Sequence, residues 1–279
     1  MFPVDLPPVD ETDLRSASES CLLSLQSGSH QYQFFETPDS TKVKISSSNV
    51  QWLQLFEDNQ SGSSILALHA PYNPTQVVAL YLAGRWWSVD HVTRTSCKTR
   101  TDLLPVQSLV ERLIMFLLSR VLDTEAIFSP HPRTERAKLL WLDGQAVGFY
   151  TVKNKGSLCD DWSGRCYLLP VLDSVLVRKN WRRRGLGLKM LADFCSSFPS
   201  EEALGVSVPL SASMAAVCRR FLQMHEDHRE RLYEVEAPGG WAQRRNIWLN
   251  IQLSRYSLLD LDHQGQHHKV EKDSGRSPD

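Results

Sequence analysis

The chain has 279 residues, of which 42% are hydrophobic, and its 31 basic and 32 acidic side chains give a formal net charge of −1. This composition is typical of a globular protein with one large domain, or a core domain with an added smaller unit. The balanced charge argues against general affinity for nucleic acid, which usually requires a basic excess. Six cysteines are scattered without a Cys-x-x-Cys pair, so reduced, buried thiols are a simpler interpretation than a zinc site.

Neither a secretory signal nor a membrane span is expected. The first eight residues, Met-Phe-Pro-Val-Asp-Leu-Pro-Pro, lack the basic and apolar regions of a signal peptide. The most apolar segment, residues 109–121, is interrupted by charged side chains and is too short to cross a bilayer. We therefore expect an intracellular protein, located in the nucleus or the cytoplasm.

The N-terminal part of the chain contains few long periodic segments. Residues 1–30 are rich in Pro, Ser and acidic side chains and predict a loosely attached leader. Two short apolar runs within 31–46 flank Thr-Pro-Asp-Ser and predict a hairpin. Residues 49–56 fit a helix or a strand equally well. A β-branched run over 77–82, followed by Ala-Gly, predicts a buried strand that turns into a second strand over 86–89.

The middle of the chain has clearer signals. Apolar residues recur at three-four spacing over 106–121 and predict a mostly buried helix. Two apolar runs within 139–150 flank Asp143-Gly144, a pair that favours a type I′ hairpin turn. The polar segment 154–164 has no periodicity and predicts disorder.

A strand, a glycine-bearing loop and a helix follow one another at 171–196. The apolar run 171–177 predicts the strand, and the helix is expected from Gly185 to Ser196. The remaining predicted elements are a strand over 204–210, a helix over 213–224, two closing strands over 231–235 and 247–251, and a disordered polar tail after Tyr256.

The loop between this strand and helix has the chemistry of an anion site. Helix N-termini present backbone N–H groups and the positive end of the helix dipole. Arg182, Gly185 and Gly187 form the pattern Arg-x-x-Gly-x-Gly, and no acidic residue interrupts the basic run from Arg178 to Lys189. Neither a P-loop nor a Gly-x-Gly-x-x-Gly motif is present. The pattern predicts a phosphate or pyrophosphate ligand; the alternative is a basic turn whose glycine supplies a positive φ.

Arg-x-x-Gly-x-Gly between a strand and a helix resembles the acyl-CoA-binding motif of the GNAT superfamily of N-acetyltransferases. From residue 77 onward the predicted order of elements is also close to the GNAT order. The resemblance implies an α/β fold with a GNAT-like mixed central sheet flanked by helices. It divides the chain into an N-terminal extension over 1–75, an acyl-CoA-binding domain over 76–256 and a tail over 257–279.

The same resemblance assigns a ligand and the residues that hold it. The ligand is acetyl-CoA or another acyl-CoA, used as a co-substrate, and no metal is required because the thioester is already activated. The backbone of the strand would pair with the pantetheine arm, and the loop would hold the pyrophosphate. The cofactor-binding residues would be Val175, Leu176, Val177, Arg182, Arg183, Arg184, Gly185, Leu186 and Gly187. The alternative is that the strand residues are plain sheet core and the arginines are solvated.

Acyl transfer to an amine requires a base and a group that protonates the leaving thiolate. Asp173 shares a strand face with Val175 and Val177 and is the candidate base; the alternative is a strand-end aspartate that caps a turn. GNAT enzymes often carry a tyrosine acid on the helix that here starts near Ser213. The matching position falls near Arg220 or Phe221, and Phe221 has no hydroxyl. Tyr233 on a neighbouring strand is a substitute; the alternative for it is half-buried β packing.

Several short segments are similar to the "family with sequence similarity 169" group, which includes a longer relative called soluble lamin-associated protein. These segments are residues 50–53, 78–81 and 86–90 and the pair Glu111-Arg112. The resemblance implies a GNAT-like fold and nuclear placement without an assigned reaction. Two hypotheses follow: an acyl-CoA-binding protein that transfers the acyl group to an unidentified amine acceptor, or a catalytically inactive module that binds a protein partner at the nuclear periphery. Binding of RNA or DNA through 178–189 is the third and least favoured.

Overall fold

A computed structural model describes residues 1–8, 10–27, 33–56, 64–122, 131–133, 135–160 and 162–257. Within these ranges the fold is mixed α/β. The chain divides into two compact units: unit 1 comprises Met1–Val152 and Ser174–Leu186, and unit 2 comprises Lys153–Asp173 and Gly187–Asp279. In the described part of the chain, no helix is both long and apolar enough to cross a membrane. The predicted boundaries at residues 75 and 256 stay predictions, and the predicted tail lies, from residue 258, outside the described residues.

Unit 1 begins with a regular helix where the sequence predicted a loose leader. After a short 3₁₀ turn, Pro3–Asp5, the first elements are α1 (Glu11–Gln26), β1 (Phe34–Glu36) and β2 (Lys42–Lys44). The Asp10 carboxylate accepts a hydrogen bond from the Asp13 backbone N–H at 2.8 Å and caps α1. The leader prediction was wrong because this cap starts the helix, although its sequence is mostly polar. β1 and β2 pair antiparallel, which confirms the predicted hairpin.

A four-stranded antiparallel sheet follows in unit 1. Its strands, in spatial order, are β3 (Val50–Gln54), β4 (Ser64–Ala70), β5 (Asn73–Leu82) and β6 (Arg85–Ser88). The undecided segment 49–56 therefore contains a strand. Ala83 and Gly84 both have positive φ, 48° and 77°, and form the predicted turn. Trp87 is buried and Trp86 is half-buried, as alternation along a strand requires.

The rest of unit 1 packs around one long helix. The elements are α2 (Val89–Val92), β7 (Asp102–Pro105), α3 (Leu109–Arg120), β8 (Arg136–Leu142) and β9 (Gln145–Lys153, whose last residue belongs to unit 2). α3 confirms the predicted helix, and its apolar face lies in the main hydrophobic core. β8 and β9 confirm the predicted hairpin, with Asp143 and Gly144 at φ 50° and 72°.

The strand β10 (Val171–Val177) contributes its first three residues to unit 2 and its last four to unit 1. The other elements are α4 (Leu186–Ser196), β11 (Leu204–Ser207), α5 (Ala212–Met224), β12 (Leu232–Val235), β13 (Arg244–Asn246) and α6 (Ile247–Gln252). β10 pairs parallel with β11, and β11 pairs parallel with β12. β12 and β13 are antiparallel.

Two sequence predictions in unit 2 were wrong. Residues 247–251 form a helix and not a strand, because the Asn246 side chain accepts a hydrogen bond from the Leu249 N–H at 2.9 Å and caps it. The segment predicted to be disordered is an ordered β-hairpin-like loop in its described residues. Cys159 N donates to Arg165 O at 2.8 Å, and Tyr167 N donates to Ser157 O at 2.9 Å.

The Glu111 carboxylate fixes the start of α3. Its Oε2 accepts hydrogen bonds from the backbone N–H groups of Gln107 at 2.7 Å and Ser108 at 3.0 Å, and Ser108 Oγ completes the capping box. Its Oε1 forms an ion pair with Arg100 Nη1 at 2.5 Å. Burial raises the pKa of Glu111, but the hydrogen bonds and Arg100 outweigh burial, so the pKa lies below its ordinary value.

We expect Glu111→Gln to lower the free energy of unfolding by about 2 kcal/mol at pH 7, because it removes the charge from a mostly buried, hydrogen-bonded ion pair. The lowered pKa means that this stability is present above the pKa of unfolded Glu and is lost as pH falls through the folded value. The difference between wild type and variant should therefore shrink below about pH 4. Urea unfolding at several pH values measures both effects.

Glu19→Gln is the matched control, because Glu19 forms an exposed ion pair with Arg15. It should change the unfolding free energy by less than about 0.5 kcal/mol. Equal losses in the two variants would contradict the role assigned to Glu111.

Candidate functional site

β10 has one buried face and one less covered face. Leu172, Ser174 and Leu176 are buried, and Leu176 is only 3% exposed and belongs to the core of unit 1. Asp173, Val175 and Val177 alternate with them and are half-buried. In unit 1 the strand therefore places two of the predicted cofactor-binding residues, Val175 and Val177, on one face, while Leu176 is a core side chain.

Backbone hydrogen bonds show which edge of β10 faces β9. In unit 1, Ser174 N donates to Thr151 Oγ1 at 3.1 Å and Arg178 N donates to Val147 O at 2.9 Å. Backbone polar groups of successive strand residues point to opposite edges. The N–H and C=O of Val175 consequently point to the edge opposite β9. In unit 2, the parallel register of β10 with β11 covers Val171 and Leu172.

The loop after β10 contains two residues with left-handed backbone. A short 3₁₀ turn, Lys179–Trp181, follows the strand, and Arg183 and Gly185 then have φ values of 64° and 76°. A Cβ placed on Gly185 would meet nothing within 4 Å, so glycine is needed there for its φ and not for space. α4 begins at the next residue, Leu186. The predicted junction of strand, glycine loop and helix is present, one residue from its expected position.

The loop carries three exposed cationic side chains just before α4 in the sequence. The first N–H groups of an α-helix have no partner within the helix. Arg182, Arg183 and Arg184 are all exposed. Arg182 Nε donates to Val177 O at 2.9 Å, and the Arg184 guanidinium lies 4.7 Å from the centre of the Trp181 ring. These contacts hold two of the three guanidinium groups beside the loop.

Gly187, the first residue of this part of unit 2, has a different role from Gly185. A Cβ at this position would lie 3.0 Å from Cγ2 of Val217 in α5. The second glycine of the motif therefore permits close packing of α4 against α5. The sequence spacing alone did not distinguish this packing role from a role in ligand binding.

Asp173 lies in a polar cluster of unit 2. Ser207 Oγ donates a hydrogen bond to Asp173 Oδ1 at 2.6 Å, and Lys153 Nζ lies 4.0 Å from Asp173 Oδ2. The side chains of Lys153 and Asp173 are 22% and 26% exposed. Sequence reasoning missed Lys153 and Ser207, because only the register of neighbouring strands brings them to Asp173.

The candidate proton donors are less favourable. Phe221 in α5 is 2% exposed and packs against His225, with ring centres 4.5 Å apart. The Tyr233 hydroxyl donates to Glu230 O at 2.8 Å. The Tyr256 hydroxyl donates to the buried Glu234 carboxylate at 3.1 Å, and burial raises the pKa of Tyr256 well above its ordinary value. These three side chains therefore offer no uncommitted hydroxyl.

Comparison with known proteins gives the family. The chain is 42% identical over 270 residues to Protein FAM169B of Mus musculus, a match that covers 93% of this chain and 80% of the relative. The chain belongs to the FAM169B family. A second FAM169B-type relative, Protein FAM169BP of Homo sapiens, is 48% identical over 120 residues, which cover 40% of this chain and 62% of the relative. No family model matches the chain. The FAM169 resemblance predicted from short segments is confirmed, and the names of these FAM169B relatives state no activity.

The left-handed turn of this FAM169B-family chain can be tested by substitution. Gly185→Ala should lower the free energy of unfolding by about 1 kcal/mol, because an L-residue with a Cβ is disfavoured at this φ. Gly185→Asn should cost roughly half as much, because asparagine tolerates left-handed backbone. Chemical unfolding of both variants measures the difference, and a larger loss for Asn than for Ala would contradict the assigned conformation.

Proposed function

We propose that this FAM169B-family protein has a GNAT-like fold and binds acetyl-CoA, or another acyl-CoA, along β10 and in the loop that follows it. The observation that carries the proposal is the left-handed turn at Arg183 and Gly185 immediately before α4. Left-handed backbone of this kind can turn successive N–H groups toward one point and so form an anion-binding concavity. Such a place is suited to a phosphate or pyrophosphate group.

The charges beside the loop favour the same ligand. The side chains of Arg182, Arg183 and Arg184 are exposed, so a phosphate arriving from solvent can reach them directly. Arginine forms strong, charge-assisted hydrogen bonds to phosphate oxygens. In this proposal the loop N–H groups position the pyrophosphate, and the arginines add attraction that weakens with salt.

The strand supplies a place for the rest of the ligand. The pantetheine arm of CoA contains amide groups that can pair with a strand edge as a peptide does. The Val175 N–H and C=O point to the edge opposite β9, while Val175 and Val177 present half-buried apolar side chains. The loop follows Val177 directly, so an arm attached to a pyrophosphate in the loop can run back along β10.

The topology supports this placement. β10, β11 and β12 run parallel, and α4 and α5 connect them in sequence. In sheets of this kind, ligands bind beyond the carboxyl ends of the strands, and the loop at 178–185 lies at that end of β10.

Transfer of the acyl group is the second part of the proposal. An acceptor amine that reached Asp173 would lose a proton to the carboxylate and attack the thioester carbonyl directly. The Ser207 hydroxyl holds one Asp173 oxygen, and the other oxygen faces a cation at Lys153. These contacts fix the position of the Asp173 carboxylate.

The second candidate function is that of a catalytically inactive module. The side chain of Phe221 favours it. The position expected to hold the acid carries a buried phenyl ring with no proton to donate. In that case the acyl-CoA site would serve binding alone, or the fold would serve a protein partner at the nuclear periphery.

Thermal unfolding with acetyl-CoA tests the binding site. At a concentration about one hundred times its dissociation constant, the ligand should stabilise the wild type by roughly 2.7 kcal/mol. Gly185→Glu should abolish the shift, because it places a negative charge where the pyrophosphate binds. Gly185→Lys is the matched control: it has a similar size and the same backbone strain, but its charge attracts the ligand.

Loss of the shift in Gly185→Glu with retention in Gly185→Lys is the predicted result. Absence of any shift in the folded wild type at saturating acetyl-CoA would contradict the proposal. Equal retention in both variants would place the ligand elsewhere.

Asp173→Asn separates transfer from binding. If Asp173 is the base, the variant should lose about a hundredfold in turnover with an amine acceptor found by screening, while the acetyl-CoA shift is retained. Radiolabelled acetyl transfer measures turnover. Equal turnover in wild type and variant would remove Asp173 from the mechanism.

A further inference from the structure

An aromatic ring and a guanidinium group lie together in the loop after β10, within unit 1. Trp181 ends the short 3₁₀ turn, and its backbone N–H donates to Arg178 O at 2.8 Å. The Arg184 guanidinium carbon lies 4.7 Å from the centre of the Trp181 ring, and Arg184 Nη2 donates to Asn180 O at 3.3 Å. Two contacts from the same segment therefore hold this guanidinium group beside the ring.

These two side chains, the Trp181–Arg184 pair, can be reached by a ligand. Trp181 is half-buried, whereas Arg184 is exposed. An arginine that packs on an aromatic ring uses one face of its guanidinium plane and leaves the other face for a second flat group. Bases stack on guanidinium planes and on aromatic rings, because both offer a flat surface. The pair is thus suited to hold a base.

The pair also lies close to the proposed pyrophosphate site. Arg184 immediately precedes Gly185, whose left-handed backbone belongs to the loop proposed to hold the pyrophosphate. In CoA the pyrophosphate joins pantetheine on one side to adenosine on the other. Only one ribose separates the pyrophosphate from the adenine ring, so the adenine of a ligand bound in this loop must lie near the loop.

We propose that the Trp181–Arg184 pair binds the adenine ring of the acyl-CoA; the inference rests on the proposed acyl-CoA site. The adenine ring stacks on one face of the Arg184 guanidinium, and Trp181 supports the other face. Arg184 is therefore a specificity-determining residue, because it makes the site prefer an acyl thioester that carries a nucleotide. An acyl group on phosphopantetheine alone lacks the base and binds more weakly.

Isothermal titration calorimetry of the purified full-length protein with two ligands tests this inference. Acetyl-CoA carries the base, and S-acetyl-phosphopantetheine carries the same arm and one phosphate without the base. The wild type should bind acetyl-CoA at least about tenfold more tightly. Arg184→Lys keeps the positive charge but removes the flat guanidinium group. It should lower the affinity for acetyl-CoA by about tenfold and leave the affinity for S-acetyl-phosphopantetheine unchanged.

Three comparisons isolate the stacking contact. Trp181→Leu removes the ring that supports Arg184 and should weaken acetyl-CoA in the same way; if this variant does not fold, the exposed Arg184 still provides the test. Acetyl-CoA without its 3′-phosphate should respond equally to Arg184→Lys, because the base makes the contact. Arg85→Lys is the matched control. The exposed Arg85 on β6 lies 3.6 Å from the ring centre of Trp87, and its replacement should change neither affinity.

The outcomes separate this inference from the proposed function. If neither ligand binds the wild type, both proposals fail. If the two ligands bind equally well, or if Arg184→Lys weakens both equally or neither, the base is not stacked on Arg184, and the inference is overturned while the binding site stands. If ADP binds as tightly as acetyl-CoA and loses about tenfold in Arg184→Lys, base stacking stands and the proposed acyl-CoA site is contradicted.

Discussion

The left-handed backbone at Arg183 and Gly185 is the constraint on which the candidate site depends. It converts the end of β10 into the start of α4 within a few residues. Arg183 adopts this conformation with a full side chain, which costs roughly 1–2 kcal/mol. Strain of this kind persists only where the surrounding structure fixes it. Here the Arg182 bond to Val177 O and the packing of Arg184 on Trp181 hold the two residues that flank Arg183.

The two glycines of the motif are needed for different reasons, one for backbone conformation and the other for packing. Gly185 has open space around it and supplies a backbone conformation, whereas Gly187 has a crowded environment and supplies close helix packing. Arg-x-x-Gly-x-Gly therefore combines a local requirement of the loop with a requirement of the α4–α5 contact. The Asp173 cluster adds a third, independent element, because it depends on strand register and not on the loop.

Long periodic segments and turn pairs were predictable from the sequence, because their signals are local. The three-four spacing of α3 and the Asp143-Gly144 turn needed no tertiary information. Helices that begin at a polar cap were harder to predict. The sequence of α1 is mostly polar, and α6 has a strand-like composition of Ile, Trp and Leu. Each starts where one side chain, Asp10 or Asn246, accepts a backbone hydrogen bond. Such a cap competes with propensity and is visible only in the folded chain.

The residues of the candidate site also divide into those that could be predicted from the sequence and those that could not. Arg182, Gly185 and Asp173 lie within a dozen or so residues and were found from spacing and strand alternation. Lys153 and Ser207 were not found, because they are distant in sequence and meet Asp173 only through the pairing of neighbouring strands. Chemistry that crosses strands is set by register, and register depends on the whole sheet.

Hydrogen exchange of backbone amides, with and without saturating acetyl-CoA, tests the central claim most directly, because the proposed contacts are made by the backbone itself. We predict slower exchange in the presence of ligand at Val175 and over residues 183–188, where N–H groups would bond to the pantetheine arm and the pyrophosphate. Protection confined to other segments, or no protection at saturating ligand, would contradict it.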